Sequence, residues 1–388
     1  MKKKIIILGS TGFIGKSLLK LVNKNKKNFK IILLSTNKNY KEIIKQANFY
    51  NVKNLIINDK KTYDYLIKKK FENKFNLFNN FDAFSKILKF KVDYTMNAIS
   101  GLDGLIPTIN IIKFTKTIAI ANKESIICGW NIISNQLKKN NTKFIPVDSE
   151  HFSLWYDNKN IDFVNIKEIF LTASGGPFLN YKFNKLKNVK ISDALNHPNW
   201  KMGKKISIDS ATMMNKVFEV IEAKNIFNIP YKKIKILIHP GSYIHSILTY
   251  NDGMIKIICH ETTMKIPIFN TLYNDNINKK IITKKISLAK LNNLKLSNPN
   301  ISNYPVIKIL NFLPNKHSLF ETIIVSANDY LVELFLKKQI KFQDISKKFL
   351  NIVQDQEFKK YKHKKPNSVS DIVKLNNFVR YKINSRYI

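Results

Sequence analysis

The sequence predicts an α/β fold in three parts: a doubly wound parallel sheet, an α+β region with an open sheet, and a small helical region at the C-terminal end. Before residue 150 the apolar runs are continuous rather than alternating, and helical stretches separate them. That pattern is typical of parallel strands covered on both faces. An Asp-Gly pair between two β-rich runs indicates a later hairpin, and helical periodicity dominates after residue 312.

Six strands are expected in the first part, with helices between them. Each strand is a short apolar run, and each helix has apolar residues three or four apart. The strands are Ile5–Leu8, Ile31–Leu34, Leu55–Ile57, Tyr94–Ala98, Thr117–Ala121 and Phe144–Val147, and the helices include Lys16–Val22 and Lys41–Phe49.

The rest of the chain alternates less regularly. Strands are expected at Ile169–Thr172 and Ile234–Ile238, a helix at Ala211–Phe227, and a hairpin with arms Ser246–Tyr250 and Met254–Ile258. Residues 286–311 are rich in Asn, Ser and Pro and are interpreted as a linker. Two further helices, Ser318–Lys338 and Asp344–Val353, predict the helical region.

The charge balance first points to a nucleic-acid partner. The 388 residues include 66 Lys+Arg and 27 Asp+Glu, a formal net charge of +39. Lysine carries almost all of it, since Arg380 and Arg386 are the only arginines, and specific phosphate or base recognition favours the guanidinium fork. We therefore interpret the charge as compositional drift and expect no nucleic-acid partner.

Composition also bears on the cellular compartment. No stretch of 18 apolar residues occurs, so no membrane-spanning segment is expected. The apolar run after the N-terminal lysines ends at Gly9, which is too short for a secretory signal. Cys128 and Cys259 lie far apart in sequence and indicate reduced thiols in a cytoplasmic protein.

A glycine-rich turn, Gly9 to Gly15, follows the first strand and opens a helix. Glycines there let a pyrophosphate approach the backbone at the positive helix N-terminus, which favours a Rossmann-like dinucleotide site. The alternative is that the glycines serve packing alone. After the second strand no carboxylate is available for a ribose 2′-hydroxyl, and Lys38, between Asn37 and Asn39, favours NADP. The alternative for Lys38 is a solvated loop.

Acidic side chains stand out in so basic a chain. Asp148 and Glu150 are two apart at the expected end of a strand, where alternate side chains share a face. Asn215, Glu219 and Glu222 share one face of the expected helix. Converging carboxylates suit Mg²⁺ or Mn²⁺. The alternative is that they pair with the abundant lysines, and Glu222 fits a structural role best.

The stretch from Thr172 to Gly203 combines glycines with large apolar side chains, as in loops that close on a substrate and exclude water. Ser210 is expected at a helix N-cap, with Asn215 and Lys216 one turn further on. Hydroxyl, amide and ammonium groups near a helix start suit a phosphate.

Several strings in this order carry a resemblance to a known family: GSTGFIG, NAISGLDGLIPT, IANKES, PVDSEH, LTASGGPF, HPNWKMGKKISIDSATMMNKVFEVIEA and IHPGSYIHS. The chain resembles the 1-deoxy-D-xylulose 5-phosphate reductoisomerases, and residues 325–345 resemble their C-terminal helical domain. The resemblance implies an NADPH- and divalent-metal-dependent retro-aldol/aldol isomerisation and reduction of that phosphorylated sugar to 2-C-methyl-D-erythritol 4-phosphate. The product serves non-mevalonate isoprenoid precursor synthesis, and the resemblance implies a homodimer.

The resemblance also implies a role for each matching residue. Asp148, Glu150 and Glu219 would bind one Mg²⁺ or Mn²⁺ and, with Lys123, be catalytic. The implied substrate-binding residues are Lys123, Ser149, Glu150, Ser174, His197, Trp200, Ser210, Asn215, Lys216 and Glu219. The expected NADPH-binding residues are Gly9, Ser10, Thr11, Gly12, Phe13, Ile14, Asn122, Glu124 and Gly203, to which the loop Asn37, Lys38 and Asn39 is added.

The expected domains are an NADPH-binding domain at 1–149, a catalytic domain at 150–285 with a flap at about 174–204, the linker at 286–311 and a helical domain at 312–388. Two other functions remain possible on the residues alone. A generic NADP-dependent dehydrogenase would need no divalent cation, and a lysine-coated nucleic-acid binder would show salt-dependent affinity.

Overall fold

The computed structural model describes residues 2–157, 161, 163–181, 183–200, 202–274, 280–285 and 287–388, without the side chains of residues 183 and 184. The chain forms two compact units. The first contains Met1–Ser125, Ile132–Asp148 and Met264–Ile281. The second contains Ile126–Asn131, Ser149–Thr263 and Ile282–Ile388.

A seven-stranded, wholly parallel sheet forms the centre of the first unit, in the order β4-β3-β2-β1-β5-β6-β7. All six strands expected in this part are confirmed. The unexpected edge strand β4 has three residues, too few for a periodic signal. The strands are β1 Lys3–Leu8, β2 Phe29–Thr36, β3 Asn54–Ile57, β4 Asn76–Phe78, β5 Tyr94–Asn97, β6 Thr117–Ile120 and β7 Lys143–Pro146.

The strand order reverses at β1, which has β2 on one side and β5 on the other. Connections leave such a point in opposite directions, so a crevice opens at the carboxyl ends of β1 and β5, where nucleotides bind in folds of this class. The helices between the strands are α1 Phe13–Lys24, α2 Tyr40–Tyr50, α3 Lys60–Lys68, α4 Phe84–Ile87, α5 Leu105–Ile112 and α6 Lys123–Lys139.

The second unit is built on a four-stranded mixed sheet in the order β11-β10-β8-β9, in which β8 and β9 are parallel. Strands β10 and β11 form the expected antiparallel hairpin, with Gly253 at φ +88° in its turn. The strands are β8 Ile166–Ala173, β9 Ile234–Ile238, β10 Ile244–Tyr250 and β11 Ile255–Cys259.

Ten helices accompany this sheet or follow it in the described part of the chain; of these, α11 falls in the first unit. None of the helices described is long and apolar enough to span a membrane. They are α7 Ser149–Tyr156, α8 Ile191–Leu195, α9 Lys204–Thr212, α10 Met214–Phe227, α11 Lys265–Leu272, α12 Leu288–Asn292, α13 Phe320–Leu336, α14 Phe342–Gln354, α15 Gln356–Lys359 and α16 Val369–Tyr387.

Two local expectations are wrong. The helix expected from Ala211 to Phe227 is two helices, α9 and α10, because Met213 adopts a left-handed conformation (φ +66°) between them. Ser210 therefore lies in the last turn of α9 and not at an N-cap. Asp148 and Glu150 do not share a strand, because α7 begins at Ser149 and places Glu150 in its first turn. Hydrophobic periodicity alone does not resolve such boundaries.

The four-part domain division remains a prediction. The C-terminal helices belong to the same compact unit as the second sheet, and residues 264–281 belong to the first unit. Within the expected linker, Tyr304 is 3% exposed and its hydroxyl donates to the Gly175 carbonyl at 2.7 Å, so this segment packs against the second unit's own loop.

Helix α13 begins with a buried acid. Glu321 has no solvent exposure, and one of its carboxyl oxygens accepts hydrogen bonds from the Ser318 amide (3.0 Å) and hydroxyl (2.6 Å). The other oxygen has no partner among the described residues. Burial raises the pKa of Glu321 to about 7, although the Ser318 hydrogen bonds lower it. The folded protein thus keeps this proton at a pH where the unfolded chain has released it.

We predict that the free energy of unfolding falls between about pH 4.5 and 7 as this difference develops. Glu321→Gln should abolish this pH-dependent fall, because the amide does not titrate. Its gain in the free energy of unfolding over the wild type should be about 2 kcal/mol larger at pH 8 than at pH 5. Urea unfolding at both pH values measures this difference. Glu333→Gln on the same helix is the control. Despite partial burial, Lys337 and Arg380 hold the pKa of Glu333 low. An equal gain at both pH values for Glu321→Gln would show that the carboxyl is not protonated in the folded state.

Candidate active site

The glycine turn of the first unit leaves the N-terminus of α1 accessible to a ligand. Gly9 has φ +75°, and a Cβ there would lie 2.7 Å from the Ala98 carbonyl oxygen after β5, so glycine is required. Gly12 caps α1 without a side chain, and Phe13 is 46% exposed, which leaves the positive helix end accessible. Thr11 is fixed by a 2.8 Å hydrogen bond to Thr36, whereas Ser10 is buried and donates to Gln46.

The loop after β2 places Lys38 on the surface. Asn37, Lys38 and Asn39 are all exposed. The Lys38 ammonium lies 3.7 Å from a carboxylate oxygen of Asp59 and is 73% exposed, so it is screened by solvent and available to a ligand. Asn39 caps α2 by accepting the Glu42 amide.

Three neighbouring residues begin α6. The side chain of Asn122 accepts the Ser125 amide at 2.7 Å and donates to the carbonyls of Ile99 and Gly101, so it holds the loop after β5. Lys123 and Glu124 are each 6% exposed. The Lys123 ammonium forms an ion pair with the Asp148 carboxylate, which follows β7 in the same unit.

In the second unit, two carboxylates from different helices share one ammonium. Glu150 on α7 and Glu219 on α10 have carboxylate oxygens within 4.8 Å of each other. Lys216 donates to Glu150 Oε1 at 2.9 Å and also to Glu219 Oε2. Burial lowers the pKa of Lys216, but the two carboxylates more than compensate and leave the pKa raised. Ser149 and Asn215 donate to the remaining oxygens of Glu150 and Glu219, respectively.

His151 is a residue of this cluster that the sequence analysis missed. It is fully buried, with Nε2 2.8 Å from the Glu219 carbonyl oxygen and Nδ1 3.3 Å from a Glu222 carboxylate oxygen. The Glu219 carbonyl oxygen can only accept, so Nε2 of His151 carries the proton of that hydrogen bond. His151 thereby fixes the backbone of Glu219 and gives Glu222 a structural partner. Its place directly after Glu150 was the available signal.

A second cluster in this unit consists of neutral hydrogen-bonding groups. His197 Nε2 lies 3.0 Å from the Ser174 hydroxyl and 3.1 Å from the Ser210 hydroxyl. Its Nδ1 accepts the amides of Asn199 and Trp200 at 3.1 and 3.0 Å, which places the ring proton on Nε2. Burial lowers the pKa of His197 to about 4, so the ring is a neutral donor at ordinary pH.

Packing around α9 fixes the Ser210 side of this cluster. Gly176 has φ +66°, and a Cβ there would lie 2.8 Å from the Ser210 carbonyl oxygen. The loop after β8 therefore packs directly against the C-terminal end of α9. Asp209 is 1% exposed; Lys205 and Asn328 donate to its carboxylate at 2.9 and 2.7 Å. Both of its oxygens are engaged, so Asp209 anchors α9 to α13.

The expected flap lies against the second unit's own loops. Within residues 174–204, positions 182 and 201 lie outside the described residues. Asn199 donates to the Pro240 carbonyl and, at 3.3 Å, to the Ser242 hydroxyl in the loop after β9. Trp200 is half-buried, and Gly203 is exposed at the N-terminus of α9.

Each of these groups of residues suits a particular type of ligand. The open helix end after the glycine turn suits a pyrophosphate. Oxygen ligands already gathered around one cationic group suit a hard divalent cation. Two hydroxyls and a neutral imidazole N–H suit the oxygens of a phosphate. A dinucleotide, a divalent cation and a phosphorylated substrate together describe a metal-dependent oxidoreductase.

Comparison with known families covers most of the chain. Residues 5–129 match the family model described as 1-deoxy-D-xylulose 5-phosphate reductoisomerase, and residues 144–227 match the model of its C-terminal domain. Residues 260–382 match a further model, DXP reductoisomerase C-terminal domain.

Curated relatives and solved structures agree with these matches. The reductoisomerase of Pelagibacter ubique (strain HTCC1062) is 56% identical over 385 residues, 99% of each chain. That of Wolbachia pipientis subsp. Culex pipiens (strain wPip) is 37% identical, covering 96% of this chain and 94% of the relative. The Zymomonas mobilis enzyme in complex with NADPH is 31% identical with a TM-score of 0.84, covering 99% of each chain.

Another solved reductoisomerase, in complex with NADPH, fosmidomycin and magnesium, is 28% identical over 100% of each chain with a TM-score of 0.89. The similarity extends over the full length of the chain, through both sheets and the helices that follow them. The chain therefore belongs to the 1-deoxy-D-xylulose 5-phosphate reductoisomerase family.

Proposed function

We propose that this chain converts 1-deoxy-D-xylulose 5-phosphate to 2-C-methyl-D-erythritol 4-phosphate with NADPH and one divalent cation. The observation that carries the proposal is the arrangement of Glu150, Lys216 and Glu219 in the second unit. It gathers oxygen ligands for a cation on α7 and α10. Ser210 on α9 and Asn215 on α10 lie on either side of the break at Met213. We assign both residues to binding of the substrate phosphate.

Asp148, Glu150 and Glu219 are the proposed metal ligands. Glu150 and Glu219 already hold a cationic group between them, so their donor set fits Mg²⁺ or Mn²⁺. Asp148 is two residues before Glu150, and chain geometry limits the two Cα atoms to a separation of about 7 Å. A bound cation would supply Lewis-acid polarisation of the substrate's carbonyl and neighbouring hydroxyl oxygens. Two relatives solved with magnesium support a divalent cation in this family.

The proposed phosphate site is the cluster of Ser174, His197 and Ser210, extended by Asn215 and Lys216. The hydroxyls and the Nε2–H of His197 would donate to phosphate oxygens. The ring stays neutral because burial lowers its pKa, and the two backbone amides on Nδ1 leave the proton on Nε2. Binding energy from this remote group orients the reacting carbons. Trp200 on the flap would exclude water from them.

We assign proton transfer to Lys123, whose ammonium lies beside Asp148 and can exchange a proton with a substrate hydroxyl there; Ser149 would bind the substrate next to Glu150. NADPH, when bound, supplies the hydride that reduces the rearranged aldehyde. The proposed cofactor contacts are the backbone of residues 9–14, Lys38 with its neighbours Asn37 and Asn39, and Glu124 and Gly203. Asn122 would serve this site through the loop that it holds.

The first test is the reaction itself. Purified protein given 1-deoxy-D-xylulose 5-phosphate should oxidise NADPH only when Mg²⁺ or Mn²⁺ is present. Glu219→Gln should reduce kcat at least 10³-fold (an order-of-magnitude expectation), because the neutral amide is a much poorer metal ligand than the carboxylate. Absorbance at the NADPH band measures both outcomes.

Glu222→Gln is the matched control on the same helix face, since Glu222 pairs with His151. It should keep metal-dependent turnover and lose thermal stability. Metal-independent oxidation by the wild type would favour a generic dehydrogenase. A wild-type rate in Glu219→Gln would refute the ligand assignment.

Lys38 is predicted to bind the 2′-phosphate of NADPH. Lys38→Glu should raise the Kd for NADPH about tenfold or more, because a charge-assisted hydrogen bond is lost, and leave the Kd for NADH unchanged. Fluorescence titration measures both constants. Lys41→Glu, an equal charge change at a nearby exposed position, should have little effect. Unchanged NADPH affinity in Lys38→Glu would leave Lys38 as a surface partner of Asp59.

We further propose that the chain forms a homodimer through β11. This strand pairs with β10 on one side and is the edge of its sheet. It exposes Ile255 (63%) and Ile257 (49%), and exposed apolar edge strands readily pair with another strand. The family resemblance supports the same oligomeric state.

We also propose a cytoplasmic location, supported by the exposed free thiol of Cys259.

Ile257→Lys should convert the dimer to a monomer, because a charge would be buried against the partner strand. Sedimentation velocity measures the change. Ile301→Lys is the control, since Ile301 is also 49% exposed but lies outside β11. If Ile257→Lys sediments as the wild type does, the dimer does not form through this edge.

A further inference from the structure

All three proposed metal-ligand carboxylates have a lysine ammonium as partner. In the first unit Lys123 pairs with Asp148. In the second unit Lys216 pairs with both Glu150 and Glu219. The carboxylates are 14%, 12% and 1% exposed, and the lysine side chains 7% and 4%. Buried carboxylates without a counter-ion are strongly unfavourable, so each ammonium group offsets carboxylate charge within its own unit when no metal is bound.

An ammonium and a divalent cation would compete for the same oxygen atoms. Lys216 Nζ lies 2.9 Å from Glu150 Oε1, at hydrogen-bond distance, and also contacts Glu219 Oε2. Ser149 and Asn215 already donate to the other oxygens. A cation that binds one oxygen from each carboxylate therefore competes with a donor at each, and Lys216 is the donor that bridges both residues and repels the incoming charge.

We propose that Lys216 is a placeholder cation, displaced from Glu150 and Glu219 when the metal binds and thereby released to the substrate phosphate, with Lys123 playing the same part for Asp148. The inference rests on the proposed metal ligands and adds a mechanism of coupling between the metal and the phosphate.

The proposal predicts positive coupling between metal binding and phosphate binding. While Lys216 is paired with the carboxylates, it is withheld from the phosphate cluster of Ser174, His197 and Ser210. Metal binding frees it, so the metal should strengthen phosphate binding. By thermodynamic reciprocity, phosphate should strengthen metal binding by the same factor. The protein would thus take up its metal weakly alone and tightly with substrate.

Isothermal titration with Mn²⁺ alone tests the competition. Lys216→Gln, which removes the competitor, should bind Mn²⁺ about tenfold more tightly than the wild type, equivalent to about 1.4 kcal/mol. Lys224→Gln is the matched control: it makes the same charge change on α10, eight residues and about 12 Å further along the helix. It should bind Mn²⁺ as the wild type does. Equal or weaker Mn²⁺ binding by Lys216→Gln would overturn the proposal, and circular dichroism confirms that each variant is folded.

Inorganic phosphate with and without Mg²⁺ tests the coupling, and the wild type alone provides a complete measurement. Its phosphate Kd should fall at least fivefold when Mg²⁺ is present, whereas Lys216→Gln should show no dependence on Mg²⁺. A wild-type phosphate Kd independent of Mg²⁺, or an equal dependence in both proteins, would refute displacement. Neither experiment involves turnover, so the outcome is separate from that of the NADPH oxidation assay, which tests the function itself.

Discussion

The need to neutralise buried carboxylates is the constraint on which the rest of the site depends. Glu150 and Glu219 come from two helices and are almost excluded from solvent, so a cation must stay with them. Lys216 meets that need without leaving α10, because it is three residues before Glu219 on the same helix. The lysine that stabilises the two carboxylates is also the group that a phosphate would use.

A break in the backbone at Met213 separates two residues of the proposed phosphate site. The left-handed residue Met213 ends α9 and begins α10, so Ser210 and Asn215 project from two short helices rather than from one continuous helix. Asp209 anchors α9 to α13, and His151 anchors α7 to the backbone of Glu219. Residues without a proposed chemical role therefore fix the positions of those that have one in our proposal.

Much of this could be predicted from residue patterns, and the misses have physical causes. The apolar runs predicted the parallel sheet because burial on both faces leaves a strong signal, and Gly9 marked a turn that only glycine can form. The break at Met213 left no such signal, since methionine is a good helix former. The burial of His151 and the pairing of Lys216 with Glu150 depend on contacts between residues 66 or more apart, which periodicity does not report.

The lysines show the same difference between what composition predicts and what the structure shows. Among 66 Lys+Arg, no composition argument distinguishes Lys123 and Lys216 from the rest. The structure does, because these two are among the few lysines that are buried, and both face acids. The sequence left open whether these acids bind a metal or pair with lysines, and the metal-ligand role remains our proposal. In this account the same carboxylates take both roles in turn.

A crystal structure of the protein with Mg²⁺ and without substrate tests this central claim most directly. The account predicts Mg²⁺ on Asp148, Glu150 and Glu219, with the Lys216 ammonium moved beyond hydrogen-bond distance of both glutamates. Mg²⁺ bound to these carboxylates while Lys216 still bridges Glu150 and Glu219 would contradict it.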